Sequence, residues 1–320
     1  MIYSNWEKIG LAFSLNELKT DKKLHFSHTQ CPFYLKMKDE ERVYFSSRSS
    51  DNISRVFYVK VKYSNLTIKL LEQKVYGPVL DIGNKEDFDS HGVMPSWIIK
   101  KGNNYDLYYI GWKVNKNFPY QNAIGLSNSK DGANSFIKNE ANPIITNNEN
   151  NSFFTGTSCI VKFNKIFFNY YMSCSDWITN PITKNKEPIY SLKIATSQNG
   201  KDWTFSNKTV LNLKPAWGGI SKASVLKIKD RLNMWFSYRG KFDYRTNINE
   251  SYKIGYATSI DGYSWIENNF NFTNINNINL QDDFMQAYPH VFKKNNNLLM
   301  LYNGNEFGKT GIFIAKTKYN

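Results

Sequence analysis

The chain has only three cysteines in 320 residues, Cys31, Cys159 and Cys174. An odd count with no CxxC spacing supports neither a disulfide framework nor a cysteine zinc site, and leaves reduced, buried thiols as the expectation. No stretch approaches the roughly 18 apolar residues that a membrane-spanning helix requires. The segment from Met1 to Glu7 lacks a basic stretch followed by an apolar run, so no secretory signal is visible and a cytoplasmic protein is expected. Acids are scarce beside bases, 27 Asp and Glu against 41 Lys and Arg, for a formal net charge of +14. Such an excess favours anionic partners. The lysines, however, are scattered among asparagines, as in Asn115-Lys116-Asn117 and Lys293-Lys294-Asn295-Asn296. That pattern suits solvated loops and argues against nucleic acid, while a phosphate-bearing sugar stays compatible.

Helical periodicity is also nearly missing. What is present is a 16% aromatic content within 41% hydrophobic residues, enough for a large core and biased toward strands. Five aromatic-rich segments recur: Val43-Tyr44-Phe45, Leu107-Tyr108-Tyr109, Asn169-Tyr170-Tyr171, Met234-Trp235-Phe236 and Met300-Leu301-Tyr302. Their last residues are 64, 62, 65 and 66 positions apart. Thirteen or fourteen residues before each lies a second segment, beginning at Pro32, Pro95, Ser158, Ala223 and Pro289. Small residues or proline followed by an apolar run suit a crowded inner strand, because proline's missing donor costs least at a strand's first position.

A third strand follows at Arg55–Val59, Ala123–Leu126, Leu192–Ala195, Lys253–Tyr256 and Gly311–Ile314. Three copies then turn through Ser129-Lys130-Asp131-Gly132, Ser197-Gln198-Asn199-Gly200 and Ser259-Ile260-Asp261-Gly262. Asp-Gly and Asn-Gly are hairpin signals, so these acids belong to turns rather than to chemistry. The aromatics after the turns, Phe136, Trp203 and Trp265, are expected to fold back over their own hairpins.

The period predicts an all-β fold, a five-bladed β-propeller of four-stranded antiparallel blades. The whole chain, 1–320, is read as one domain, with blades at roughly 24–75, 88–145, 153–210, 218–275, and 284–320 together with 5–13. The stretch Trp6 to Ala12 is expected to supply the last outer strand and to close the ring, leaving no open edge.

Antiparallel order puts the starts of first strands and the ends of second strands on one face, where the long loops also lie. The polar residues there are His28, Gln30 and Arg48, then Asp89, His91 and Trp112, then Asp176 and Trp177. The last two blades add Lys222, Tyr238 and Arg239 with Arg245, then Asp282, Asp283, Tyr288, Asn303, Asn305 and Glu306. Carboxylates, guanidinium groups and aromatics in one cleft suit a sugar. Arg48 and Arg239 hold matching positions and could form a pair for a carboxylate or phosphate. His28 and His91 alone make a thin metal site, so no metal or other cofactor is expected.

The period, the first-strand start Gly92-Val93-Met94-Pro95 and the Ser-x-Asp-Gly-x-x-Trp turn together resemble the five-bladed propeller glycosidase superfamily. That superfamily holds arabinanases, β-xylosidases, invertases and mannoside phosphorylases. More narrowly, Val43-Tyr44-Phe45-Ser46-Ser47-Arg48, the run Phe88 to Ser96, Tyr108 to Trp112 and Tyr302-Asn303-Gly304-Asn305 resemble glycosidase-like proteins linked to bacterial surface-polysaccharide synthesis. The resemblance implies three funnel acids, of which Asp89 matches the second. The first and third positions read His28-Thr29-Gln30 and Thr155-Gly156-Thr157, so Asp282, Asp283 and Glu306 stand as replacement acids, with Asp176 as a further contributor.

The leading expectation is a glycosidase-type enzyme acting at an anomeric centre, with Asp89 as one carboxylate. A transferase or sugar-nucleotide enzyme of glycan assembly comes second, and a non-catalytic glycan-binding propeller third. A sugar, glycan or sugar nucleotide is the expected ligand in each case.

Overall fold

The computed structural model describes residues 2–19, 26–140, 142–149, 151–200, 202–273 and 281–319. The expected blade limits at 24 and 275 and the last residue, 320, lie outside the described residues. The protein is nearly all β.

After β1 (Asn5–Phe13) the strands fall into five antiparallel meanders. The first is β2 (Gln30–Lys36), β3 (Glu41–Arg48) and β4 (Ser54–Ser64), with β5 (Thr67–Leu70) and β6 (Tyr76–Leu80) both on the outer side of β4. The second is β7 (Gly92–Lys101), β8 (Asn104–Lys113), β9 (Gln121–Ser129) and β10 (Ile137–Lys138). The third is β11 (Phe154–Phe163), β12 (Ile166–Thr179), β13 (Lys186–Ser197) and β14 (Thr204–Thr209). The fourth is β15 (Trp217–Ile228), β16 (Arg231–Gly240), β17 (Lys253–Ser259) and β18 (Ile266–Asn268). After β19 (Asn271–Thr273), the fifth is β20 (Ala287–Lys294), β21 (Asn297–Asn303) and β22 (Ile312–Lys318).

Two boundaries differ from the sequence expectation. The first unit runs past 75, because β6 also pairs with β4. Residues 271–273, counted with the fourth unit, pair instead with β1, which itself pairs with β22.

The first strands pack in sequence, β2 on β7, β7 on β11, β11 on β15, β15 on β20 and β20 on β2. Each carries a bulge, at Gln30/Phe33, Pro95/Trp97, Gly156/Ser158, Ser221/Ser224 and Ala287/His290. At four of the five bulges one residue is left-handed, namely Cys31 (φ 55°), Thr157 (44°), Lys222 (45°) and Tyr288 (57°). A bulge bends its strand and re-aims a side chain, which is what a crowded inner layer needs at its rim.

Adjacent meanders are tied by a repeated lock. The hydroxyls of Tyr44, Tyr108 and Tyr170 donate to the carbonyls of Ala133 (2.8 Å), Gly200 (3.1 Å) and Gly262 (2.8 Å) in the next meander's turn. Gly200 and Gly262 sit at φ 71° and 83°, the left-handed conformation that lets each turn present its carbonyl. Phe136, Trp203 and Trp265 pack edge-on against these tyrosines of the preceding meander, with centroids 6.3, 6.5 and 5.3 Å apart. They were expected over their own hairpins, and Trp265 does donate from Nε1 to the Gly262 carbonyl of its own turn (3.3 Å). The buried tyrosine ring next door offers a larger apolar face than a Ser-x-Asp-Gly turn, which decides the packing. The turn acids behave as read: Asp131 accepts from the Asn134 and Ser135 amides, and Asp261 from those of Tyr263 and Ser264.

Candidate functional site

All five first strands contribute to one cavity of about 380 Å³, through Gln30 and Cys31 of β2, Met94 of β7, Thr157 of β11, Ser221 of β15 and Tyr288 of β20. Its volume falls within the roughly 300–1,000 Å³ usual for small-molecule sites. Bulge residues Cys31, Thr157 and Tyr288 are therefore part of its lining.

The walls differ in character. The second and third meanders supply Ile110, Trp112, Val114, Pro119 and Met172, an apolar side interrupted by Asn122. The rest of the lining includes Arg48, Asn52, Tyr190, Tyr244, Arg245, Tyr252, Tyr288 and Phe307. Among the described lining residues there is no aspartate or glutamate.

Arg48 ends β3. Its Nε donates to Gln30 Oε1 (3.0 Å) and an Nη to Asn52 Oδ1 (3.0 Å), so neutral amides aim the guanidinium. No carboxylate pairs with it among the described residues. Burial, and secondarily the charge of Arg245, pull its pKa down, opposed by Tyr288 and Cys31, yet a guanidinium stays charged. Arg245 is half-exposed, stacks on Tyr244 (4.3 Å) and donates to Glu187 (3.1 Å).

Behind this wall Arg239 is fully buried. It donates to the Tyr190 hydroxyl (2.7 Å) and to the carbonyls of Pro188 (2.6 Å) and Gly240 (2.6 Å), between the rings of Tyr190 and Tyr244. Tyr190 in turn meets the Tyr252 hydroxyl, and Tyr244 donates to Glu187 (2.8 Å). Burial holds Tyr190 and Tyr244 well above the usual phenol range and Tyr252 at about 12, so these hydroxyls stay protonated donors. Lys222, at its bulge, is also fully buried, with the Ser96 carbonyl as acceptor (2.8 Å). The surroundings are thus cationic, with buried Glu187 as a counter-charge in contact with Tyr244 and Arg245.

Of the residues expected from sequence, Gln30, Arg48, Trp112 and Tyr288 line the cavity, and so does Arg245. The four acids do not. Asp89 is buried, accepting from the Tyr109 hydroxyl (3.0 Å) and pairing with Lys138 (2.7 Å). Asp282 repeats this with Tyr302 (2.7 Å) and Lys8 (2.8 Å), and at the equivalent place Asn151 accepts from Tyr171 (3.2 Å). In all three the partner tyrosine lies 20 residues on. An amide serves where an acid serves, so the position ties a loop to its second strand. Asp283 accepts from the Asn305 amide (2.9 Å), the main cause of its lowered pKa, and exposed Glu306 pairs with Lys309 (2.8 Å).

The remaining residues are placed as follows. Arg239 lies behind the wall rather than opposite Arg48, because its fork is taken up by backbone carbonyls. Asn303 is buried, bridging the Cys31 amide (2.9 Å) and the Thr29 carbonyl (2.5 Å), and Asn305 accepts from the Phe284 and Met285 amides (3.1 and 2.8 Å). Tyr238 stacks on Trp217 (4.2 Å), and exposed Asp176 accepts from the Trp177 amide (2.7 Å). Trp177 packs beside Phe118, Tyr120 and Phe154. His91 lies 6.0 Å from the Trp112 ring. His28 shares a hydrogen bond with Ser27 Oγ (2.7 Å), and burial together with Arg48 and Lys309 lowers its pKa to about 4, against Glu306. Among the described residues no group of three or more His, Cys, Asp or Glu could hold a metal ion.

Tyr190, Tyr244, Tyr252, Asn52, Asn122 and Thr157 escaped the sequence reading. Asn122 lies at the start of β9, Tyr252 immediately before β17 and Tyr190 in the first half of β13, all third strands, which open on the same rim as the ends of second strands. Applying the face rule to third strands as well would have found them.

No family model matches the chain. Two curated relatives from Mycobacterium tuberculosis, the uncharacterized proteins Rv1502 and MT1551, are 26% identical over 313 residues, 97% of this chain and 98% of theirs. Among solved structures, BT0996 in its complex with RGII is similar with a TM-score of 0.71 and 16% identity, covering 97% of this chain and 91% of that one. A thermostable family-43 glycoside hydrolase is similar at 0.60 and 14%, covering 96% and 92%. The sucrose-6-phosphate hydrolase of Lactobacillus gasseri is similar at 0.61 and 13%, covering 95% of this chain and 62% of that one. The chain thus has the propeller-like fold of glycoside hydrolases. Among the described residues no helix is long and apolar enough to cross a membrane.

Proposed function

We propose that this protein is a single-domain, five-bladed propeller closed by β1, whose axial cavity takes a phosphorylated sugar donor for glycosyl transfer. The ring is supported by the cyclic packing of the five first strands and by the pairing of β1 with β22. The activity rests on one observation: Arg48 and Arg245 face a cavity whose described lining has no carboxylate.

The chemistry follows from the leaving group. Cleaving an ordinary glycoside expels a poor leaving oxygen, which needs a carboxylic acid to protonate it and a carboxylate across the ring. A sugar phosphate expels an oxygen whose charge is already delocalised, so fixed cations suffice. An acceptor hydroxyl attacks C1, the bond from C1 to the phosphate oxygen breaks, the electron pair stays on the phosphate, and the hydroxyl proton passes to it. Arg48 is the anchor, because its planar fork is aimed by amides and unspent on a protein acid. The tyrosine hydroxyls and Asn122 hold the sugar's hydroxyls while Trp112 and Ile110 cover its apolar face. A cytoplasmic place in building bacterial surface glycans fits such a donor.

A panel decides. Nitrophenyl glycosides are expected to be stable with the protein, and a nucleotide diphosphate sugar is expected to raise the melting temperature and to transfer to an acceptor. Steady nitrophenol release would refute the transfer reading in favour of hydrolysis. A thermal shift without transfer to any acceptor would refute it in favour of binding alone.

A further inference from the structure

Beside the cationic cavity lies a smaller cleft of about 180 Å³ with a different lining. Its walls are aromatic, from Phe118, Tyr120, Phe153, Phe154 and Trp177, and its polar groups are the uncharged Asn115, Gln121, Asn147 and Ser152. No Asp, Glu, Lys, Arg or His lines it among the described residues. In a chain with net charge +14, a wholly neutral recess next to an arginine-bearing one is a difference in ligand chemistry.

The two spaces share a wall. Val114, Pro119 and Tyr120 of the loop between β8 and β9 line the cavity, while Asn115, Phe118 and Tyr120 of the same loop line the cleft. An amide hydrogen bond from Asn115 Nδ2 to Gln121 Oε1 (3.0 Å) braces the loop across its base. Phe118 stacks on Trp177 (5.2 Å, 18°) and meets Phe153 edge-on (5.4 Å), so the aromatic wall is packed in place before any ligand arrives.

From this juxtaposition we infer that the cleft is a second binding site, for one ring of a neutral saccharide that serves as the acceptor. The inference rests on the transfer reading for its role but not for its binding chemistry. Aromatic faces cover the C–H face of a pyranose, and amides with one hydroxyl bond its equatorial oxygens. An anion gains nothing here, because the arginines lie in the neighbouring space. Tyr120, common to both, is where a hydroxyl of the acceptor approaches C1 of the donor.

The test titrates methyl glycosides of glucose, galactose, mannose and rhamnose, followed by saturation-transfer NMR, and uridine diphosphate, followed by calorimetry. Wild-type protein, Phe118→Ala, Gln121→Ala and Arg48→Ala are compared. At least one methyl glycoside is expected to bind saturably. Both cleft substitutions should weaken it at least tenfold with uridine diphosphate binding unchanged, and Gln121→Ala covers the case in which Phe118→Ala unfolds. No glycoside bound by the wild type, or glycoside binding lost in Arg48→Ala and kept in Gln121→Ala, would overturn the cleft. Glycoside binding without any nucleotide binding would sustain the cleft and refute the donor reading alone.

Discussion

Replacing Asp89 separates a structural acid from a catalytic one. Its carboxylate is buried, accepts from Tyr109 at 3.0 Å and pairs with Lys138 at 2.7 Å. Asp89→Asn keeps an acceptor for the tyrosine, as native Asn151 does for Tyr171, but forfeits the charge-assisted part of both contacts. Lys138, whose side chain is partly exposed although its Nζ is buried, reaches water by a change of rotamer, which holds the cost to about 1–2 kcal/mol. Asp89→Ala leaves the Tyr109 hydroxyl without its acceptor and the ammonium without its counter-charge, for about 3–5 kcal/mol. At about 2 °C per kcal/mol for a large domain, melting should fall by about 2–4 °C and 6–10 °C. Differential scanning calorimetry reads the shifts, and titration with a nucleotide diphosphate sugar should give the same affinity for Asp89→Asn as for the wild type. An Asp89→Asn protein with unchanged melting temperature and no turnover would refute the reasoning and return Asp89 to the chemistry.

Three further outcomes are expected. Tyr108→Phe strands the Gly200 carbonyl in the core and should cost about 1–2 kcal/mol by urea denaturation, with ligand affinity unchanged. His28 and His290 are held neutral in the folded state, each chiefly by burial, so their contribution is present above the unfolded value near 6.5 and is lost as pH falls below it, down to about 4 for His28. Each adds a slope of up to about 1.4 kcal/mol per pH unit, less for half-exposed His28, and urea midpoints at pH 7, 6 and 5 should flatten in His28→Gln. Arg239→Lys cannot reproduce three directed donations from one planar fork and should destabilise by about 3 kcal/mol, whereas Arg245→Ala should mainly weaken anion binding.

Most of the fold was legible because strands carry local signals. Every first- and second-strand segment read from the aromatic repeat lies within a strand, from Pro32–Lys36 in β2 to Met300–Tyr302 in β21. The Asp-Gly and Asn-Gly turns are just as local. The ring partners of Phe136, Trp203 and Trp265 escaped because they lie in another meander, a contact no short window contains, although Trp265 also bonds its own turn at Gly262 as expected. The site was legible in location but not in membership. Face alternation pointed to Gln30, Arg48, Trp112 and Tyr288, yet could not tell a carboxylate aimed at the cavity from one turned to a tyrosine 20 residues on. Asp89 and Asp282 occupy equivalent positions with Asn151, and that alternation of acid and amide was the available sign that the position bonds a tyrosine 20 residues on.

The account stands on Arg48 as the anchor of a phosphorylated sugar. Calorimetric titration of a nucleotide diphosphate sugar into wild-type and Arg48→Ala protein puts that directly to the test. Loss of a charge-assisted hydrogen-bonding fork of about 1.5–3 kcal/mol should weaken binding about 10- to 150-fold with the melting temperature of the free protein nearly unchanged. Equal affinities for the two proteins would contradict it.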